Sequence, residues 1–192
     1  MKDVINGSDY HPTIWRTCRV LANMHRLSCL KAVIEQPLMS VEDVASATGL
    51  PANKVSMHLR ALQSRGLLQA LRQSRYVRYQ PQPDPLVPSA TPILSALQTA
   101  LRSRPEKDIV QTLTAFTHPR RLSILRCLQL QPAIPEEALS ISTQISPPAL
   151  WRHLQKLENR RLVVRTEEGW RLHPRPTRLT DVFLALISLD LP

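Results

Sequence analysis

An internal repeat constrains the fold of this chain more than any other feature. Residues 26–68 align without a gap on residues 121–163 at a constant offset of 95. The identical pairs include Arg26 and Arg121, Leu27 and Leu122, His58 and His153, and Leu59 and Leu154. With a two-residue shortening of the second copy, Arg78 also aligns with Arg171. A repeat of this length predicts two structural units of one fold.

Both copies have the same predicted order of elements: helix, helix, turn, helix, β-hairpin and a closing helix. In the first copy Ser40, with Asp43 three residues later, predicts a capping-box start, and Gly49 predicts a left-handed helix end. The remaining helices are predicted at 13–23, 26–35, 52–64 and 91–102, with strands at 67–71 and 76–80. In the second copy helices are predicted at 108–117, 119–129, 135–142, 147–159 and 178–189, with a hairpin at 162–173.

This order predicts a mainly α fold with small β-hairpin wings, a tandem winged helix-turn-helix. The domains are predicted at 1–104 and 105–192. Because only a tight link around Pro105 separates the closing helix of one copy from the first helix of the next, these helices are expected to be antiparallel neighbours. The copies are therefore expected to pack through their terminal helices as an intramolecular pseudo-dimer.

The charge balance indicates a polyanionic partner. The 192 residues include 25 Lys and Arg against 15 Asp and Glu, a formal net charge of +10. Residues 1–104 hold 13 basic and 6 acidic side chains, and residues 105–192 hold 12 and 9, so the net charges are +7 and +3. The excess lies mainly in the first copy, and double-stranded DNA is the expected partner. No apolar run is long enough to cross a membrane, so a soluble protein without membrane contact is expected.

The third helix of the first copy has an apolar stripe of Val55, Leu59 and Leu62 that predicts a core-facing side. The outer side then carries short hydrogen-bonding groups and cations, which suit base edges and phosphates. The candidate DNA-contacting residues on this helix are Asn53, Lys54, Ser56, Met57 and Arg60. On the wing the candidates are Arg72, Arg75 and Arg78, and in the second copy they are Arg152 and Lys156.

The same segments resemble the ArsR/SmtB family of bacterial winged-helix repressors. The resemblance rests on residues 21–30, on Gly49-Leu50 with Ser56-Met57-His58-Leu59, on Gly66-Leu67-Leu68, and on the Tyr-rich wing strand at 75–79. In that family the Ser-x-His-Leu segment lies on the recognition helix. The resemblance covers about 13–102, and again about 108–189. It implies a cytoplasmic, nucleoid-associated bacterial protein that regulates transcription, most simply as a repressor, with activation left open.

The departures from the family concern metals and the second copy. The segment 41–48 has no cysteine, and the closing helices at 91–102 and 178–189 have no histidine, so both metal sites usual in the family are absent and no metal or cofactor is expected. In the second copy Trp151 stands at the position of Ser56, and the wing tip carries Glu167 and Glu168. Carboxylates are unfavourable beside phosphates. The first copy is therefore expected to be the main DNA reader.

Several residues keep two interpretations. His58 and His153 lie on the flank of the core stripe, where a half-buried, hydrogen-bonded role is favoured over base contact, and the other histidines are isolated in sequence. Cys18 and Cys29 are either core residues or redox-sensing thiols. Trp151 either replaces a DNA contact or is a packing anchor for the partner copy.

The main prediction is a sequence-specific DNA-binding regulator. Catalysis is not expected, since the chain has no Walker sequence, dinucleotide fingerprint or Ser/His/Asp order. The alternative is a winged-helix protein-interaction module with weak or no DNA reading, for which the second copy is the better candidate. The sequence leaves open whether the chain acts alone or as a homodimer, and it does not identify an effector.

Overall fold

The computed structural model describes residues 13–73 and 76–189, which form two similar arrangements of helices and a hairpin. The first unit, residues 13–103, contains α1 (Ile14–Leu21), α2 (Met24–Glu35), α3 (Val41–Thr48), α4 (Ala52–Gln63), β1 (Gln69–Gln73), β2 (Tyr76–Gln80) and α5 (Ala90–Ser103). The second unit, residues 106–189, contains α6 (Glu106–Ala115), α7 (Pro119–Leu130), α8 (Glu136–Thr143), α9 (Pro147–Glu158), β3 (Val163–Thr166), β4 (Gly169–Leu172) and α10 (Arg178–Leu189). The predicted order of elements is confirmed in both units.

Local side-chain chemistry sets the ends of α3. The Ser40 backbone N–H donates to Asp43 Oδ2 at 2.8 Å, and the Asp43 backbone N–H donates to Ser40 Oγ at 3.1 Å. This capping box satisfies two donors that a helix start leaves without intrahelical partners. Gly49 ends the helix with a φ of 68°, a left-handed conformation that costs glycine little. The sequence prediction for this helix is confirmed.

An arginine joins the first two helices of each unit. Arg121 is buried, and it donates from Nε to the Ala115 carbonyl at 2.7 Å and from Nη2 to the Thr114 carbonyl at 2.8 Å. These carbonyls end α6 and lack intrahelical partners. In the first unit Arg26 donates from Nη1 to the Val20 carbonyl of α1, while its buried Nε has no hydrogen-bond partner within the described part of the chain. The presence of arginine at both equivalent positions, Arg26 and Arg121, is therefore explained by a structural role in joining the two helices.

Each hairpin is extended by a single bridge to the segment before the reading motif. Met39 pairs with Tyr79 in the first unit, and Ile134 pairs with Trp170 in the second. Tyr79 and Trp170 are thus structural equivalents, which are 91 residues apart. Because the offset before the hairpins is 95, the second hairpin is shorter by four residues. The two-residue shortening was wrong, and Arg78 is not equivalent to Arg171.

The two units pack through their first and last helices. Helix α1 contacts α6, and α5 contacts α10, while α2 also lies against α6. Lys31 of α2 forms an ion pair with Glu106 of α6, with Nζ and Oε1 3.2 Å apart. The buried apolar residues of both units belong to one continuous core. The predicted intramolecular pairing of terminal helices is confirmed.

Candidate nucleic-acid interface

Helix α4 separates a buried side from an exposed side, as its sequence predicts. Val55, Leu59 and Leu62 are fully buried in the core. Four of the predicted contact residues are exposed on the other side: Asn53, Lys54, Met57 and Arg60. Ser56 is only half-buried between the two sides. An exposed helix face of this length has the dimensions that the major groove of DNA admits.

The first wing brings one described cation to the end of its hairpin. Arg72 is exposed and lies opposite Val77 in the strand register. The next pair, Gln73 with Tyr76, is the last before the turn. Tyr76 is also exposed at this end of the hairpin. Arg75 lies outside the described residues. The accessible cation at this end is suited to a phosphate contact.

Arg78 lies further back on the wing and contacts the protein itself. Its Nη1 donates to the Leu38 carbonyl at 2.9 Å and lies 3.6 Å from Asp43 Oδ2. The Asp43 carboxylate also accepts from Ser40, and these hydrogen bonds, with a smaller contribution from Arg78, lower the pKa of Asp43. Arg78 therefore ties the wing to the start of α3, a partnership that the sequence prediction missed because the residues are far apart in the chain.

The reading helix of the second unit has a different outer face. Arg152 and Lys156 are exposed, as predicted. Trp151 is also 50% exposed at the position that Ser56 occupies in α4. Pro147 and Pro148 occupy the first two helical positions, and proline has no backbone N–H to donate to a phosphate. The start of α9 is consequently more apolar and poorer in donors than the start of α4.

The second wing is shorter and acidic at its tip. It ends at the pair of Thr166 with Gly169, with Glu167 and Glu168 exposed between them. Gly169 has a φ of +129°, and a Cβ at this position would overlap the Ile134 carbonyl. Glycine is therefore needed where the bridge strand approaches. Beyond the bridged residue this wing has one further residue pair, whereas the first wing has three, so it is shorter by about 7 Å.

A pair of histidines lies behind each reading helix. The rings of His25 and His58 are 6.3 Å apart, and those of His118 and His153 are 4.8 Å apart. The sequence suggested that His25 and His118 are isolated, whereas in the fold each lies beside a second histidine. The Nδ1 atoms of His58 and His153 are buried without a hydrogen-bond partner among the described residues, so the predicted hydrogen-bonded role is wrong for these atoms.

These histidine pairs favour uncharged rings. Burial, followed by nearby cations and the paired histidine, lowers the pKa of His58. Burial, followed by His118 and nearby cations, lowers the pKa of His153 to about 4. Within residues 13–73 and 76–189, no three His, Cys, Asp or Glu side chains converge as metal ligands.

The two cysteines with alternative interpretations lie in the core. Cys18 and Cys29 are fully buried. Burial raises the pKa of the Cys18 thiol well above its ordinary value and raises the pKa of Cys29 to about 11. Oxidation and disulfide exchange require an accessible thiolate. These environments favour the interpretation of both cysteines as packing residues.

Family models match one segment in each unit. Residues 24–70 match the bacterial regulatory protein arsR family, and residues 118–164 match a winged helix-turn-helix DNA-binding model. No curated protein matches the chain. Within the described part of the chain, no helix has the length and apolar character needed to span a membrane.

One solved structure is weakly similar, human N-acetylserotonin methyltransferase in complex with SAM. It is 15% identical with a TM-score of 0.33, and the match covers 77% of this chain and 39% of that one. The chain thus spans about two-fifths of the solved chain, and a likeness this weak says nothing about its activity. The matched helix-turn-helix domains are DNA-binding rather than catalytic folds. The two matched segments lie in two units of the same architecture, so the chain contains two winged helix-turn-helix units in tandem, the first of which matches the arsR family.

Proposed function

We propose that the chain is a sequence-specific regulator of transcription in which the first unit supplies most of the contacts to double-stranded DNA. Its two domains are taken as residues 1–104 and 105–192. The proposed contacts come from α4 and the first wing, with a smaller contribution from α9. They are Asn53, Lys54, Ser56, Met57, Arg60, Arg72, Arg75, Arg152 and Lys156, and Arg78 positions the wing.

The observation that carries this proposal is the difference in chemistry between two reading helices with the same buried stripe. The exposed side of α4 offers an amide, an ammonium group and a guanidinium group next to a longer wing with Arg72 at its end. Hydrogen bonds from such groups to base edges give sequence preference, and cations on phosphates give affinity. The corresponding part of α9 begins with two prolines and exposes a tryptophan.

Repression is the simplest mechanism for this arrangement, because a protein bound at a promoter excludes polymerase without further chemistry. The pairing of α1 with α6 and of α5 with α10 already joins two reading helices within one chain. A single chain would therefore place unequal readers on two half-sites and prefer an asymmetric operator. A homodimer of the chain would instead present four wings and favour a longer palindromic site.

Selection of bound DNA from a random library by the purified protein, with its mass measured in solution, tests the proposal. We expect a monomer that enriches an asymmetric site with one strongly specified half. Substitution of Asn53 by Ala should then change the preferred bases, since this residue is proposed to contact base edges. Failure to enrich any sequence would contradict the proposed function.

A second candidate function concerns the second unit alone, as a protein-interaction module. Half-exposed Trp151 near the start of α9, together with Glu167 and Glu168 on the wing, favours it. Aromatic side chains of this kind are enriched in protein interfaces. The variant Trp151→Ser, which restores the residue of the first unit, separates the two functions. If Trp151 contacts DNA, the variant should bind the selected DNA more weakly or change its sequence preference in a gel-shift assay, whereas unchanged DNA binding would support the interaction role.

A further inference from the structure

A cavity of about 360 Å³ lies where the link between the units meets the end of α9. Three arginines line it: Arg104 from the link, and Arg160 and Arg161 from the turn that follows the reading helix. Asp108 is the one carboxylate in this lining, so the cavity has an excess of positive charge. The volume is within the range typical of sites for small molecules.

Arg104 has an unmet hydrogen-bonding requirement in this cavity. Its Nη1 atom is buried and has no hydrogen-bond partner among the described residues. A buried guanidinium nitrogen without a partner is costly, and native structures rarely leave one unpaired. An acceptor bound in the cavity would satisfy it once the Arg104 side chain turns this nitrogen toward the ligand.

Arg160 is held in place beside this group. Its Nε donates to Thr114 Oγ1 at 2.5 Å, and its Nη1 donates to the Lys156 carbonyl at 2.8 Å. Neither bond uses Nη2. The guanidinium is therefore oriented before any ligand binds, which reduces the entropy lost on binding. Burial also lowers the pKa of Arg160, because its charge is partly removed from water.

Arg161 provides an independent observation, because its backbone is in an unfavourable conformation for its residue type. It has a φ of +56°, and its equivalent in the first unit is Gly66, with a φ of +69°. Glycine adopts this conformation readily, whereas arginine does so at a cost. The second unit thus has a charged side chain at a turn where the first has none, and this side chain lines the cavity. Strained residues of this kind concentrate at functional sites.

We propose that this cavity binds a small oxyanion, a compound with a carboxylate or phosphate group, as an effector. Guanidinium groups recognise both kinds of anion through paired hydrogen bonds. A bound anion would connect the link at Arg104 to the turn that ends α9, and so couple ligand binding to the position of this reading helix. Binding of the anion is independent of the proposed DNA-binding function, whereas its effect on DNA affinity rests on that function.

Calorimetric titration of the full chain with inorganic phosphate and, separately, with succinate tests the proposal at constant ionic strength set by sodium chloride. We expect saturable binding of at least one anion, and the stronger of the two identifies phosphate or carboxylate as the recognised group. Arg104→Gln and Arg161→Gly should each weaken this binding about tenfold or more. Arg161→Gly should also leave the fold intact, because it restores the residue of the first unit.

Arg171→Gln is the matched control, since this exposed arginine of β4 lies in the same unit and outside the cavity. It should leave anion binding unchanged. Absence of saturable binding to both anions, or an equal loss in Arg171→Gln, would overturn the proposal. Loss of DNA affinity in the cavity variants, with no anion bound by the unmodified chain, would also overturn it and assign these arginines to the DNA backbone. If the chain binds the anion but enriches no DNA sequence, the proposed anion site is supported and the proposed regulatory function is contradicted.

Discussion

Helices α4 and α9 have matching buried stripes and different outer faces. Val55, Leu59 and Leu62 of α4 correspond to Leu150, Leu154 and Leu157 of α9, and all are fully buried. On the outer faces, the positions of Ser56 and Met57 are occupied by Trp151 and Arg152. Residues identical between the units therefore identify what the fold requires. Residues that differ identify where the two units have separate roles.

The wings differ in length as well as in charge. Beyond the bridged residues Tyr79 and Trp170, the first wing has three further residue pairs and the second has one. The first exposes Arg72 near its end, whereas the second ends at Glu167 and Glu168. A shorter wing has less reach, and its carboxylates are repelled by phosphates. The two differences act in the same direction, and both favour the first unit as the DNA reader.

The largest expected effect concerns the arginines that join the first two helices of each unit. Arg121→Met removes three hydrogen bonds of a buried guanidinium, to Ala115, Thr114 and Thr117, and should lower the free energy of unfolding by about 3 kcal/mol. Arg26→Met removes the bond to Val20 and should cost about 1 kcal/mol. Urea denaturation of both variants measures the difference. Equal losses would show that the two joints are equally important.

The next largest effect is the loss of DNA affinity when the cations of one reading helix are removed, compared between the two helices. Lys54→Ala with Arg60→Ala should weaken DNA binding about tenfold and flatten the salt dependence by about two charges, since each cation is proposed to neutralise one phosphate. The matched double variant, Arg152→Ala with Lys156→Ala, should have an effect of about threefold or less. Fluorescence anisotropy on the selected operator at several salt concentrations measures both. A larger loss from the second pair would reverse the assignment of the main reader.

A smaller effect is expected in the pH dependence of stability. Burial and its neighbours lower the pKa of His153 to about 4 in the folded chain, whereas an exposed histidine has a pKa of about 6.5. As the pH falls from about 6.5 to 4, the unfolded state takes up a proton that the folded state does not, so stability decreases. His153→Gln should reduce this decrease by about 1 kcal/mol, allowing for solvent screening.

Thermal unfolding of this variant between pH 4 and pH 7 measures the change. His58→Gln is the counterpart in the first unit, where the pKa is lowered in the same direction and the paired rings are farther apart. Its effect should have the same sign and a smaller size. An unchanged pH profile in His153→Gln would contradict the proposed neutral state of this ring.

The smallest expected effects are those of substituting two arginines of the first wing, which should differ in kind. Arg72→Gln should reduce the salt dependence of DNA binding by about one charge, because the side chain is free to contact a phosphate. Arg78→Gln should change the salt dependence less and instead lower the free energy of unfolding by about 0.5 kcal/mol, since it loses partly exposed contacts to Leu38 and Asp43. Anisotropy and urea denaturation on each variant distinguish a phosphate contact from a positioning role.

The sequence was sufficient to predict features that depend on neighbouring residues. The capping box of Ser40 and Asp43 and the left-handed Gly49 follow from side chains and backbone within one or two turns. The repeat also predicted the pairing of terminal helices, because two copies with a short link have few ways to bury their apolar faces. The exposed side of α4 followed from its helical period.

Only the tertiary structure decided the features that depend on contacts across the chain. The sequence alignment underestimated the shortening of the second wing, because the hairpin register is set by the bridges of Met39 to Tyr79 and Ile134 to Trp170. The hydrogen bond of Arg78 to Leu38 joins residues 40 positions apart. The histidine pairs and the arginine cavity were also invisible to spacing, because their members lie on different helices and loops. Periodicity determines which face of an element is buried, whereas packing determines which distant side chains meet there.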